Sequence, residues 1–129
     1  MLPRAGVRAY RRAMTTWGEA ERVALTLPEA ESGEAHEGSP AVLVRGRQFA
    51  RLRWDGDREL LQVWLPDAAL VAPYVEEDPA TYRAIPGYSR LVLLAALDRL
   101  DAATLRELIV ESWAARSPKR LVAAHPDLR

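Results

Sequence analysis

Between Met14 and Leu27 the apolar residues Trp17, Ala20, Val23, Ala24 and Leu27 recur at steps of three and four. That spacing puts them on one side of a helix. Thr16 and Glu19 have capping-box separation, and Pro28 stops the helix because its ring cannot follow the preceding turn. From Glu29 to Pro40 the chain is polar and contains glycine, which predicts a loop. The period then changes to two. Ala41 to Arg45 reads as a short strand, Gly46-Arg47 as a tight turn, and Gln48 to Trp54 as an alternating strand. Asp55-Gly56 signals a hairpin, and Arg58 to Leu65 returns. In that hairpin Ala50, Leu52, Trp54, Leu61, Val63 and Leu65 share the core face. Phe49, Arg51, Arg53, Leu60, Gln62 and Trp64 share the other, a mixed and partly solvated face.

Downstream, Pro66-Asp67 opens a short helical segment through Tyr74, limited by Pro73. Thr81 to Ile85 forms a brief strand, and Leu91 to Leu97 a buried one. Asp101 caps a helix with Leu105, Leu108, Ile109, Ser112 and Trp113 on one side. Pro118 ends it, and Lys119 to Ala124 adds a last turn. Strands grouped together with helices at the ends predict an α+β fold, an antiparallel sheet with helices packed on one face. The expected core is Trp17, Val23, Leu27, Leu52, Leu61, Val63, Leu93, Leu105, Leu108 and Trp113. One domain spans residues 14–124, behind a basic arm at 1–13 that lacks apolar periodicity and ahead of a frayed tail at 125–129.

A chain of 129 residues with 49% hydrophobic content suits one domain with one core. No apolar run approaches the roughly 18 residues of a membrane span. The basic N-terminus precedes no hydrophobic stretch, so it is not a signal peptide. The absence of cysteine excludes disulfides and thiolate chemistry. These features predict a cytoplasmic protein with no membrane partner. Eighteen basic residues balance eighteen acidic ones, which argues against a dedicated nucleic-acid binder. The distribution is uneven: Arg4, Arg8, Arg11 and Arg12 meet no acid in the first twelve positions, whereas Trp17 to Gly38 is strongly acidic.

Catalytic chemistry finds little support. His36 sits among Glu29, Glu31, Glu34 and Glu37 at spacings that match no metal-ligand pattern, and reads as part of a solvated acidic loop. Gly38-Ser39-Pro40 is not a nucleophile elbow, and no glycine-rich phosphate loop exists. The expectation is a non-enzymatic protein without metal or cofactor. The remaining candidate is "VRGRQFARLRWDG". Arg45, Arg47, Arg51 and Arg53 all have odd numbers, so an extended chain points them to one side. Across the hairpin, Gln62 and Trp64 add an amide and a π-face. These are the ingredients of weak, sequence-indifferent DNA binding. Two other readings stay open. The face is the wet side of an ordinary sheet, or Phe49, Leu60 and Trp64 form the contact of a homodimer or other protein-interaction module.

From Met14 to Val122 the chain resembles the MmcQ/YjbR family of small bacterial proteins. The resemblance is carried by "LPEAE", "GSPAVLVRGRQFARLRWDG", "DPATYRAIPGY" and "LDRLDAATLRELIVESWAARSPKRLV". The last is the most specific, because Trp113 and the following Ser-Pro-Lys-Arg-Leu match the family's aromatic and Pro-Lys pair. Residues 86–92 depart from the lysine–tryptophan pattern of many relatives. The resemblance implies a frataxin-like, CyaY-like α+β fold and a double-wing DNA-binding label, with no catalytic activity or cofactor. Its wings would be the hairpins Arg45 to Gln48 and Trp54 to Glu59. Lys119 and Arg120 would be the matching C-terminal signature. The first helix carries only Glu19 and Glu21, so a frataxin-like iron ridge does not transfer.

Overall fold

The structure is a computed structural model that describes residues 15–128. The expected arm at 1–13 lies outside the described residues. The elements are α1 (Trp17–Leu25), β1 (Ala30–Glu34), β2 (Pro40–Val44), β3 (Arg47–Asp55), β4 (Arg58–Trp64), α2 (Val71–Glu77), β5 (Tyr82–Arg83), β6 (Val92–Ala96), α3 (Ala102–Arg116) and α4 (Lys119–Ala123). The strands form one sheet in the order β1-β2-β3-β4-β6-β5, and every neighbouring pair is antiparallel. The α+β architecture follows the apolar periodicity closely.

Helices α1 and α3 cover one face of the sheet. Trp17, Ala20, Ala24 and Leu27 meet Leu105, Leu108, Ile109 and Trp113 over Val42, Val44, Leu52, Leu61, Val63 and Leu93. Thr16 caps α1 by accepting from the Glu19 N–H at 3.4 Å, while the Trp17 N–H donates to the Glu59 carboxylate at 2.8 Å. The helix start is therefore tied to the β3–β4 hairpin as well as capped locally. Asp101 caps α3 by accepting from the Thr104 N–H at 2.8 Å. Trp113 is wholly buried, and its indole N–H donates to the Pro28 carbonyl at 3.0 Å. That bond joins the last long helix to the end of the first. Among the described residues no helix is long and apolar enough to cross a membrane.

Several local expectations are corrected. Residues 30–34, predicted as loop, form edge strand β1 in register from Ala30↔Val44 to Glu34↔Pro40. An edge strand is held by its backbone ladder, so it needs little apolar periodicity, and only Ala30 packs against the core. Both hairpin turns shift by one residue. Arg45-Gly46 forms the β2–β3 turn with φ of 51° and 80°, the positive values that a mirror-image two-residue turn requires. Gly56-Asp57 forms the next, between paired Asp55 and Arg58, with Gly56 at φ 63°. Pro73 lies inside the first turn of α2, where its missing N–H has no intrahelical partner to lose. Trp54, assigned to the core, is 55% exposed because it lies near the hairpin tip. The tail is docked: His125 meets Trp113 edge-on at 6.4 Å between ring centroids, and Leu128 packs against the core from a 3-10 turn.

Candidate nucleic-acid interface

The predicted interface depends on unbroken alternation along β3, and a β-bulge interrupts it. Val42 pairs with Ala50, but Leu43 pairs with Gln48, leaving Phe49 as the extra residue. A bulge turns its two residues toward the same side and shifts the parity beyond them. Phe49 thus joins Ala50 and Leu52 in the helix-covered core, with no exposed surface. Ser112 of α3 completes the broken ladder. Its hydroxyl accepts from the Trp64 N–H at 2.9 Å and donates to the Phe49 carbonyl at 2.5 Å, and the side chain is fully buried. Arg47, before the bulge, pairs with core-facing Val44, whereas Arg51, after it, pairs with Ala41 and Gln62. The four odd-numbered arginines do not share a face.

The second face is also drier than expected. Leu60, Trp64, Val92, Leu94 and Ala96 form an apolar cluster there, with Ile85 packed on it from the β5–β6 loop. Gln62 is fully buried. Its Oε1 accepts from Arg53 Nη1 at 3.2 Å, while its Nε2 and the Arg51 Nε have no hydrogen-bond partner. Arg51 is 3% exposed, and its guanidinium pairs with the Glu37 carboxylate from the β1–β2 turn. Trp64 is 7% exposed, and the Arg116 guanidinium lies over its ring at 4.6 Å from the centroid. Arg51, Gln62 and the Trp64 ring face, expected on a wet surface, are therefore not presented to solvent. The same burial removes the expected dimer contact, since Phe49, Leu60 and Trp64 are all internal.

The acidic stretch supplies the counter-charges. Glu29 pairs with Arg45, and Glu37 with Arg51. The Arg45 hydrogen bond holds the Glu29 carboxyl below its ordinary pKa. Glu37 is lowered by its own backbone N–H, with the Arg51 and His36 charges adding to the effect. Asp55 pairs with Arg83, Asp98 with Arg58 and Asp78 with Arg99. Among the described residues, Arg22, Arg47, Arg53, Arg90, Arg106, Arg116, Lys119 and Arg120 have no carboxylate within ion-pair distance. Arg53 is engaged by Gln62.

Four of these cations, Arg47, Arg116, Lys119 and Arg120, lie on two adjoining segments beside the β2–β3 turn. Arg47 is exposed beside the Arg45-Gly46 turn, and Lys119 and Arg120 are exposed on α4. Arg116, at the C-terminal end of α3, joins the segments: its Nε donates to the Gln48 carbonyl at 2.7 Å. Burial, then the Arg47 charge, holds the Arg116 guanidinium below the ordinary arginine value, while Tyr88 opposes the shift. Arg116 and Tyr88 were not legible as site residues, because one lies on a helix and the other in a loop far along the chain. The two wing-like turns sit at opposite ends of β3. Beside Tyr88, a groove of about 610 Å³ runs between α2 and the β5–β6 loop, with Val71, Val75, Ile85 and Arg90 among its lining residues.

Comparison with known proteins agrees with this architecture. A crystal structure of Deinococcus radiodurans protein DR2400, with a DUF419 domain, superimposes with a TM-score of 0.68 at 17% identity, covering 90% of this chain and 89% of that one. At that identity the likeness shows the fold. No curated protein matches the chain. The YjbR family model matches residues 25–115, from the end of α1 to the last turn of α3. The chain belongs to the YjbR family.

Proposed function

We propose that this protein is a non-enzymatic binding module that contacts nucleic-acid backbone weakly and without sequence preference through the surface beside its β2–β3 turn. The carrying observation is that four cations without a carboxylate lie on two adjoining segments. Arg45, Arg51, Arg58, Arg83 and Arg99 meet carboxylates, whereas Arg47, Arg116, Lys119 and Arg120 do not. Unpaired cations on adjoining segments suit phosphate contact, which positions a nucleic acid without reading its bases. Zero net charge limits long-range attraction. The expected dissociation constant at physiological salt is micromolar or weaker, in the non-specific range. The absence of a nucleophile elbow and of a glycine-rich phosphate loop from the sequence supports the non-enzymatic part.

The test is a titration with single- and double-stranded DNA at several salt concentrations. The Lys119→Ala/Arg120→Ala variant should lower the slope of log affinity against log salt by up to about 2, near 0.9 for each lost duplex phosphate contact. Arg51→Ala/Arg53→Ala should leave that slope unchanged. No binding at low salt, or the reverse pattern between the variants, removes the proposal.

A further inference from the structure

We propose that the junction of β3 and α3 is a seat for a single phosphate-type oxyanion, with Arg116 as its fixed donor and Arg47 as its second cation. Arg116 is held from two directions before any ligand arrives. Its Nε donates to the Gln48 carbonyl at 2.7 Å, and its guanidinium rests over Trp64 at 4.6 Å. Trp64 is itself immobile, since it is buried and its backbone N–H is bound by Ser112. A guanidinium carries five N–H donors in a fixed fork, and the described contacts use only the one at Nε. The Nη groups are left to bind an acceptor from outside the described chain.

The second cation comes from the neighbouring backbone position. Arg47 directly precedes Gln48, whose carbonyl fixes Arg116. Two guanidinium groups near one another repel unless an anion lies between them. Burial of Arg116 adds to that cost, and both effects lower its affinity for its own proton. A bound oxyanion offsets both. Arginine matches the paired oxygens of phosphate through parallel N–H donors, while the indole of Trp64 keeps water from one side of the guanidinium. Partial burial and support from two directions distinguish this arrangement from a scatter of surface cations.

The seat deepens the nucleic-acid reading by naming its anchor, and it is equally a place for a free phosphate. The probe is inorganic phosphate, added to full-length protein against sodium chloride at matched ionic strength. The arginine Nε–H resonances are followed by 15N-edited NMR, with Arg116 identified by its loss in Arg116→Lys. A saturable phosphate-dependent shift of Arg116 is expected. Arg47→Ala, a change at an exposed position, should weaken phosphate binding about tenfold, the scale of one charge-assisted hydrogen bond. Arg22→Ala, at an exposed cation on α1, should leave it unchanged. An equal response to chloride, or an unchanged titration in Arg47→Ala, overturns the seat. Phosphate saturation without DNA binding supports the seat and removes the nucleic-acid reading. DNA binding with the same salt slope in Arg47→Ala keeps that reading and removes the seat.

Discussion

Arg47 and Arg51 lie four residues apart on β3 and meet opposite surroundings. Arg51 sits where β3 is flanked by both β2 and β4, so its stem is covered from both sides and its charge reaches only the Glu37 carboxylate. Arg47 sits at the end of the strand beside the turn, exposed and without an acid. The residue type is the same, and its availability is decided by ladder position and by loops folded in from elsewhere. An arginine in the middle of a central strand carries its charge on a stem that packs as a hydrocarbon. At the strand end the same side chain is a free cation.

The largest test of this contrast concerns the bulge between the two arginines. Phe49→Ala should destabilise the fold by about 3 to 5 kcal/mol, the range for truncating a buried aromatic. A change near zero in chemical denaturation would return Phe49 to a wet face and restore the alternating interface. Ser112→Ala should follow, at about 1 to 3 kcal/mol, because it leaves the Trp64 N–H and the Phe49 carbonyl buried without their partner. Thermal unfolding of Ser112→Ala beside Ser112→Thr would separate loss of the hydroxyl from a change of shape. Arg51→Met should move stability by less than about 1 kcal/mol, since it keeps the packed stem and removes a buried donor that lacks a partner. A large loss on urea titration would show that the Glu37 pair carries more than its exposure suggests.

The smallest expected effect is on the acid side. Glu29 and Glu37 have depressed folded-state pKa values, so their ion pairs contribute stability above the unfolded glutamate value of about 4.3. That contribution is lost as pH falls through their lower folded values. Both carboxylates are well exposed, so solvent screening keeps the effect small. Glu29→Gln/Glu37→Gln should unfold with a flatter dependence on pH below 4.3 than the parent. Parallel acid limbs would show the pairs to be inert.

Most of the architecture was legible because it rests on local periodicity. Three- and four-residue steps marked α1 and α3, alternation marked β3 and β4, and Thr16, Asp101, Pro28 and Pro118 marked helix ends. Edge strand β1 was missed because its pairing with β2 leaves almost no apolar signature. The site was much less legible. One extra residue at Phe49 reverses parity, and nothing in the alternation reveals where a bulge falls. The pairing of Glu37 with Arg51 and the seating of Arg116 on Trp64 join residues distant in sequence. A count of arginines therefore does not tell which of them reach solvent without an acid. Only Arg47, Lys119 and Arg120 of the predicted set remain both exposed and without a carboxylate.

The two edges of the sheet restrict how a partner can approach. On one side β1 presents an outward strand interrupted by Gly33 and carrying Glu31 and Glu34. On the other, β5 is two residues long, with Pro86 soon after it. A peptide that recognises a protein by adding a strand needs a run of unpaired backbone groups, and acidic side chains or a very short edge deny it that run. The same features disfavour edge-to-edge joining of two copies into a continuous sheet. Under the proposed function, a partner is selected by charge and shape and not by backbone pairing.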